Sequence, residues 1–167
     1  MSLSRRQFNT AMLSAGLSGL LPALSFANSK PLLTIDRKVE PAQGQQTAIF
    51  DREKLEALGM HAFETSCPWY SGIVKFEGPL MRDVLAAVNA SGDKVVVQAL
   101  NDYTTEIPFD DFKRFDVILA MKRDGQYMPV RDKGPLFVVY PYDSKPELKT
   151  QQYFKRSAWQ VVRMTVK

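Results

Sequence analysis

The chain has 167 residues, a net charge of +4, 45% hydrophobic residues, a single cysteine and a single histidine. That charge is too small for an electrostatic nucleic-acid footprint, one cysteine cannot close an internal disulfide, and one histidine has no second to share a metal with.

Residues 1–27 read as a removable targeting peptide. Arg5-Arg6 is followed by Gln7-Phe8, no acidic residue precedes Asp36, and residues 10–21 form an apolar, small-residue run. That run is too short to span a bilayer, and Ser25-Phe26-Ala27 offers a small-residue cleavage site. The arginine pair points to twin-arginine export, with an ordinary Sec signal as the alternative. Either route leaves residues 28–167 as a single domain of 140 residues with net charge +2, expected in the periplasm and without a membrane span.

Residues 28–46 are weakly patterned apart from one short strand at 32–35. Asp51 can cap a short helix ending at Gly59, with Leu55 and Leu58 on one face. The next strands are expected at 48–50, 61–65 and 73–76. Pro79 suits the first turn of a second helix, where Leu80, Val84, Leu85 and Val88 recur at helical spacing up to Gly92. Further strands are expected at 95–100, 104–107, 117–122, 136–140 and 159–166, and Asp124-Gly125 turns a hairpin into 126–128. The sum is a compact, strand-rich α+β domain.

Gly72, Gly78 and Gly92 are too scattered for a phosphate-cradling loop, so neither a nicotinamide nor a flavin is expected. His61 reads as an ordinary strand or loop residue. Three segments crowd polar, aromatic and turn residues together: Glu64-Thr65-Ser66-Cys67-Pro68-Trp69-Tyr70-Ser71-Gly72, Leu100-Asn101-Asp102-Tyr103-Thr104, and a C-terminal loop at 151–159. Such loops combine flat rings, a carboxylate and cations, which suits a polar heteroaromatic ligand. Trp69, Tyr103 and Trp159 taken singly also suit half-buried core positions.

These segments, in this order, resemble the molybdopterin-binding domain of the sulfite-oxidase type. The stretch Phe76-Glu77-Gly78-Pro79-Leu80-Met81-Arg82-Asp83-Val84-Leu85 is similar to the start of the family's helix. Asn101-Asp102-Tyr103-Thr104 through Ile107-Pro108 resembles its Asp-Gly-Tyr…Pro hairpin, with Asn101-Asp102 in place of Asp-Gly. Ile118-Leu119-Ala120, Asp124-Gly125, Met128-Pro129, Gly134-Pro135-Leu136 and Tyr140-Pro141 follow in family order. Ser157-Ala158-Trp159 resembles the closing Ser-x-Lys-Trp, without the lysine. The likeness runs over 34–166.

The resemblance implies a mixed α+β fold with a pterin pocket. It implies Trp69 or Tyr103 stacked on the ring, Asp102 accepting from its amino edge, and Asn101 and Ser157 beside it. Arg131, Lys133 and Arg156 would meet a polar or phosphate tail, and Thr65 and Ser66 the pocket mouth. Cys67 stands near the family's molybdenum-ligating cysteine, although its Thr-Ser-Cys-Pro-Trp context differs and Pro68 restricts its backbone. The short exported branch of the family, pterin-binding regulators of inner-membrane cyclic di-GMP enzymes, is the most similar. A small molybdopterin-dependent oxidoreductase with Cys67 as metal ligand is the alternative. The 143–152 stretch is read as a polar, mobile loop.

Overall fold

The computed structural model describes residues 30–38 and 44–167; the leader expected at 1–27 lies outside the described residues. Eleven strands and four short helices are described. Strand β1 (Leu33–Lys38) buries Leu33 and Ile35 on one face, as alternation requires, and pairs with β2 (Gln45–Phe50). Helix α1 (Arg52–Glu56) starts where the Asp51 carboxylate accepts from the Lys54 amide at 2.9 Å, and it buries Leu55.

Strands β3 (His61–Cys67) and β4 (Tyr70–Gly78) form a long hairpin around Pro68 and Trp69. Helix α2 (Met81–Ala86) buries Met81, Val84 and Leu85 but is shorter than its apolar pattern; Asn89 at φ 49° turns the chain away before Gly92. Strands β5 (Lys94–Ala99) and β6 (Thr104–Pro108) follow, with Val95, Val97 and Ala99 facing inward.

Helix α3 (Phe109–Arg114) has no sequence counterpart among the expected elements. It is six residues long, with Asp110 and Asp111 in its first turn and Lys113 and Arg114 in its last, charges that suit the helix dipole. The strand expected at 117–122 is split at Met121. Its first part, β7 (Ile118–Ala120), pairs with β10 (Phe137–Val139), and β8 (Lys122–Arg123) pairs with β4 and with β9 (Gln126–Tyr127). Asp124 and Gly125, both at positive φ, make the expected two-residue turn.

The 143–152 stretch is anchored. It carries 3-10 turns at Tyr142–Ser144 and Pro146–Leu148, and Leu148 is fully buried. Helix α4 (Gln151–Arg156) then occupies most of the segment expected as a loop, and β11 (Val161–Val166) closes the chain. A six-residue helix with one buried residue, Tyr153, is too short to show an apolar stripe.

The main sheet has the order β2-β1-β11-β5-β6, with β1 parallel to β11 and its other pairs antiparallel. A second sheet, β3-β4-β8-β9, and the β7–β10 pair complete a strand-rich α+β fold. The core between them is built around Phe76, Ile107, Phe112, Phe137, Tyr140 and Tyr142, all nearly without solvent contact. Among the described residues no helix is long and apolar enough to cross a membrane.

Candidate functional site

Two tight turns and a helix meet at one recess of about 320 Å³. The β3–β4 turn contributes Pro68 and Trp69. The last residue of β5, Ala99, and the β5–β6 turn, through Asn101 and Tyr103, contribute the second wall. Helix α4 and the chain after it contribute Gln151, Phe154, Lys155, Ser157 and Trp159. The three segments singled out in the sequence therefore share one cavity.

Its apolar wall is a ring cluster centred on Trp69. The indole meets Phe137 at 5.3 Å, Trp159 at 5.6 Å and Phe154 at 6.0 Å, each edge-to-face. These contacts hold Trp69 without a side-chain hydrogen bond and fix the direction of its ring. Tyr103, 46% exposed, stands at the opposite lip, where its hydroxyl donates to the Lys155 carbonyl at 3.0 Å.

The turn carrying Tyr103 is set by backbone chemistry. The Ala99 amide donates to the Tyr103 carbonyl, the Asn101 carboxamide oxygen accepts from the Tyr103 amide, and Asp102 sits at φ 62°. Aspartate tolerates this left-handed conformation, so Asp102 can stand where the family hairpin has glycine. Its carboxylate accepts from the Gln98 carboxamide at 3.3 Å. Ala99 lines the cavity and alternates with Gln98 along β5, so Gln98 lies on the other face of the strand and Asp102 turns away with it.

Arg156 also points elsewhere. It donates to Asp111 at 2.7 Å, and the Tyr140 hydroxyl donates to the same carboxylate at 2.7 Å. This buried network ties α4 to α3. Ser157 does line the cavity, while its hydroxyl bonds the Tyr142 hydroxyl and donates to the Tyr153 carbonyl at 3.0 Å. Burial pushes the Tyr142 and Tyr140 phenols well above their ordinary range, so both remain protonated donors.

Thr65 and Ser66 hold the neighbouring 3-10 turn. Asp143 accepts from the Ser66 amide at 2.6 Å and hydroxyl at 2.7 Å, and its own amide donates to Thr65. Lys133 lies 4.4 Å from the centre of the Tyr70 ring, with Arg123 also 4.4 Å from it. Arg131 is exposed in the 3-10 turn Val130–Asp132. Thr65, Ser66, Arg131 and Lys133 do not line the cavity, so the structure brings together Trp69, Asn101, Tyr103 and Ser157 from the expected set. Gln151, Phe154, Lys155 and Trp159 join them. Their segment was conspicuous in the sequence, but which of its side chains turn inward depends on α4, which the sequence did not reveal.

A sequence profile described as the oxidoreductase molybdopterin binding domain matches residues 50–143. This chain belongs to that family. No curated protein matches it. The matched stretch supplies the β3–β4 and β5–β6 turns, and thus two of the three walls of the recess.

The family's cofactor joins a pterin to a metal, and the residues here fit the two parts differently. The flat, ring-lined recess suits the pterin. For the metal, Cys67 is the candidate thiolate, but it is half-buried and does not line the recess. Burial pushes its thiol up, against the thiolate that a metal requires, although the Trp69 and Tyr70 amides and Lys133 oppose this. Cys67, set off the recess and favouring the neutral thiol, fits the metal part less well than the rings fit the pterin.

Proposed function

We propose that this family member binds a pterin and works in the periplasm as a ligand-responsive regulator of an inner-membrane enzyme of cyclic di-GMP signalling. The observation that carries the binding reading is the recess lined together by the aromatic side chains of Trp69, Tyr103 and Trp159 and by Asn101 and Gln151. A pterin is a flat bicycle with a polar, guanidine-like edge, and it needs these two kinds of surface. Stacking on one ring contributes about 1 kcal/mol beyond burial, and the two carboxamides supply both donors and acceptors to the edge. The export reading rests on the leader at 1–27, and the regulatory reading on resemblance to the short exported branch.

Regulation requires a partner that binds the filled and empty forms differently. Helix α4 is placed to carry that difference, because it forms one cavity wall and is anchored to α3 through Arg156 and Asp111.

Thermal unfolding with reduced and oxidised pterins tests the binding. At a hundredfold excess over Kd, a specific ligand stabilises the fold by about 2.7 kcal/mol. Trp69→Ala removes the shift, and no shift for the wild-type protein at millimolar pterin would end the proposal. Metal analysis on protein from its native compartment tests the alternative: molybdenum that disappears in Cys67→Ser would replace this reading with an oxidoreductase.

A further inference from the structure

We infer that the protein partner docks beside the recess, on a patch formed by Leu100, Val130 and Arg131, with a segment that carries an apolar side chain among carboxylates; the inference rests on the regulatory reading above. Leu100 and Val130 are large apolar side chains, 52% and 51% exposed. Single exposed residues of this kind are ordinary, but these two are held together.

Gln160 gathers them. Its carbonyl accepts from the Leu100 amide at 3.0 Å, and its carboxamide donates to the Val130 carbonyl at 2.7 Å. Its own amide donates to the Lys133 carbonyl at 3.1 Å. Gln160 sits at φ 55°, a left-handed conformation that costs a glutamine energy and that these three bonds offset. The β5–β6 turn and the Val130–Asp132 turn thus lie side by side, well within the area of about 800 Å² that one partner covers. The patch also borders the recess. Leu100 stands between Ala99 and Asn101, and Gln160 follows Trp159, all three of which line the cavity. Any shift of Trp159 on filling is passed to the residue that spaces the patch.

Charge selects the occupant. Asp132 is neutralised by Arg123 at 2.7 Å, whereas its neighbour Arg131 is exposed and has no ion pair among the described residues. Lys133, stacked on Tyr70, has none either. The one nearby carboxylate without an ion pair is Asp102, which turns to Gln98. The excess is positive, which favours an acidic partner and opposes a second copy bringing the same cations. Ile73, 69% exposed, lies instead on β4, where Lys75 and Glu77 neutralise each other at 3.4 Å.

Photo-cross-linking in the native host tests the assignment, with benzoylphenylalanine placed at Leu100, Val130 or Ile73 of the full chain and the joined peptides sequenced by mass spectrometry. Leu100 and Val130 should join one membrane-protein segment in which carboxylates outnumber cations, and Ile73 should not. Arg131→Glu should cut that yield about tenfold and leave the pterin-induced melting shift unchanged. Changing a carboxylate of the joined segment to lysine should restore the yield of Arg131→Glu. No cross-link from Leu100 or Val130, an equal one from Ile73, a yield that survives Arg131→Glu, or a second copy of this chain as the product would overturn the assignment while leaving pterin binding intact. An acidic segment joined equally with and without added pterin would support the patch and remove the ligand-responsive reading instead.

Discussion

The Tyr103 hydroxyl donates to the carbonyl of Lys155 at 3.0 Å, so the β5–β6 turn and the last turn of α4 are joined across the mouth of the recess. Tyr103→Phe keeps the ring and removes this one bond. Because the bond is exposed, urea unfolding should register a loss of less than about 1 kcal/mol. Ligand affinity should fall severalfold, measured calorimetrically, because the two lips are no longer held in register.

Asp111 is the buried anchor beneath the same helix, 3% exposed and bonded to both Arg156 and Tyr140. Asp111→Ala leaves the guanidinium half-buried without its partner and should cost about 3–5 kcal/mol. The triple variant Asp111→Leu, Arg156→Met and Tyr140→Phe should recover most of that loss in urea unfolding, since it removes both charges together with the buried hydroxyl that bonds the carboxylate.

Acid should loosen the attachment between the β3–β4 hairpin and the turn that follows β10. Lys149, then the Ser66 hydroxyl and amide, hold the Asp143 carboxyl down at about 2, below its ordinary 3.8. A carboxyl with a lowered folded-state value stabilises the fold above its unfolded value, and that contribution disappears as pH falls through the folded one. Urea midpoints should therefore decline between these two values, and Asp143→Asn should flatten the decline.

Gly78 ends β4 against the neighbouring β7, where an added Cβ would lie 2.0 Å from the Leu119 carbonyl oxygen. The nearest atoms are all backbone of β7, which leaves nothing flexible to move. Gly78→Ala should destabilise the protein by about 3 kcal/mol, seen as a lowered urea midpoint.

Local rules made some elements readable from sequence and hid others. Asp51 announces α1, the alternation of Val95, Val97 and Ala99 announces β5, and Asp124-Gly125 announces its hairpin, because each depends on neighbouring residues. Helices α3 and α4 did not show, since six residues contain fewer than two turns and no repeating apolar face. The break at Met121 was hidden for another reason: Ile118–Ala120 and Lys122–Arg123 belong to different sheets, which only the assembled fold decides. At the site, the three segments were conspicuous by composition, but side-chain direction was not. Asp102 and Arg156 looked like ligand anchors, yet their partners, Gln98 and Asp111, turn them aside.

The parallel pairing of β1 with β11 also bears on how the protein is made. Thr34 lies opposite Arg163, and Asp36 bonds the Arg163 side chain, so one of the earliest described strands waits for the last. A nascent chain still tethered in the ribosome has no neighbour for that flank of Leu33 and Ile35, and Trp159 has yet to reach Trp69. Contacts between residues so distant in sequence form slowly, and the unfinished sheet leaves an open edge meanwhile. Completion of the main sheet, and of the cavity wall that Trp159 supplies, therefore waits until residues 159–166 have been made.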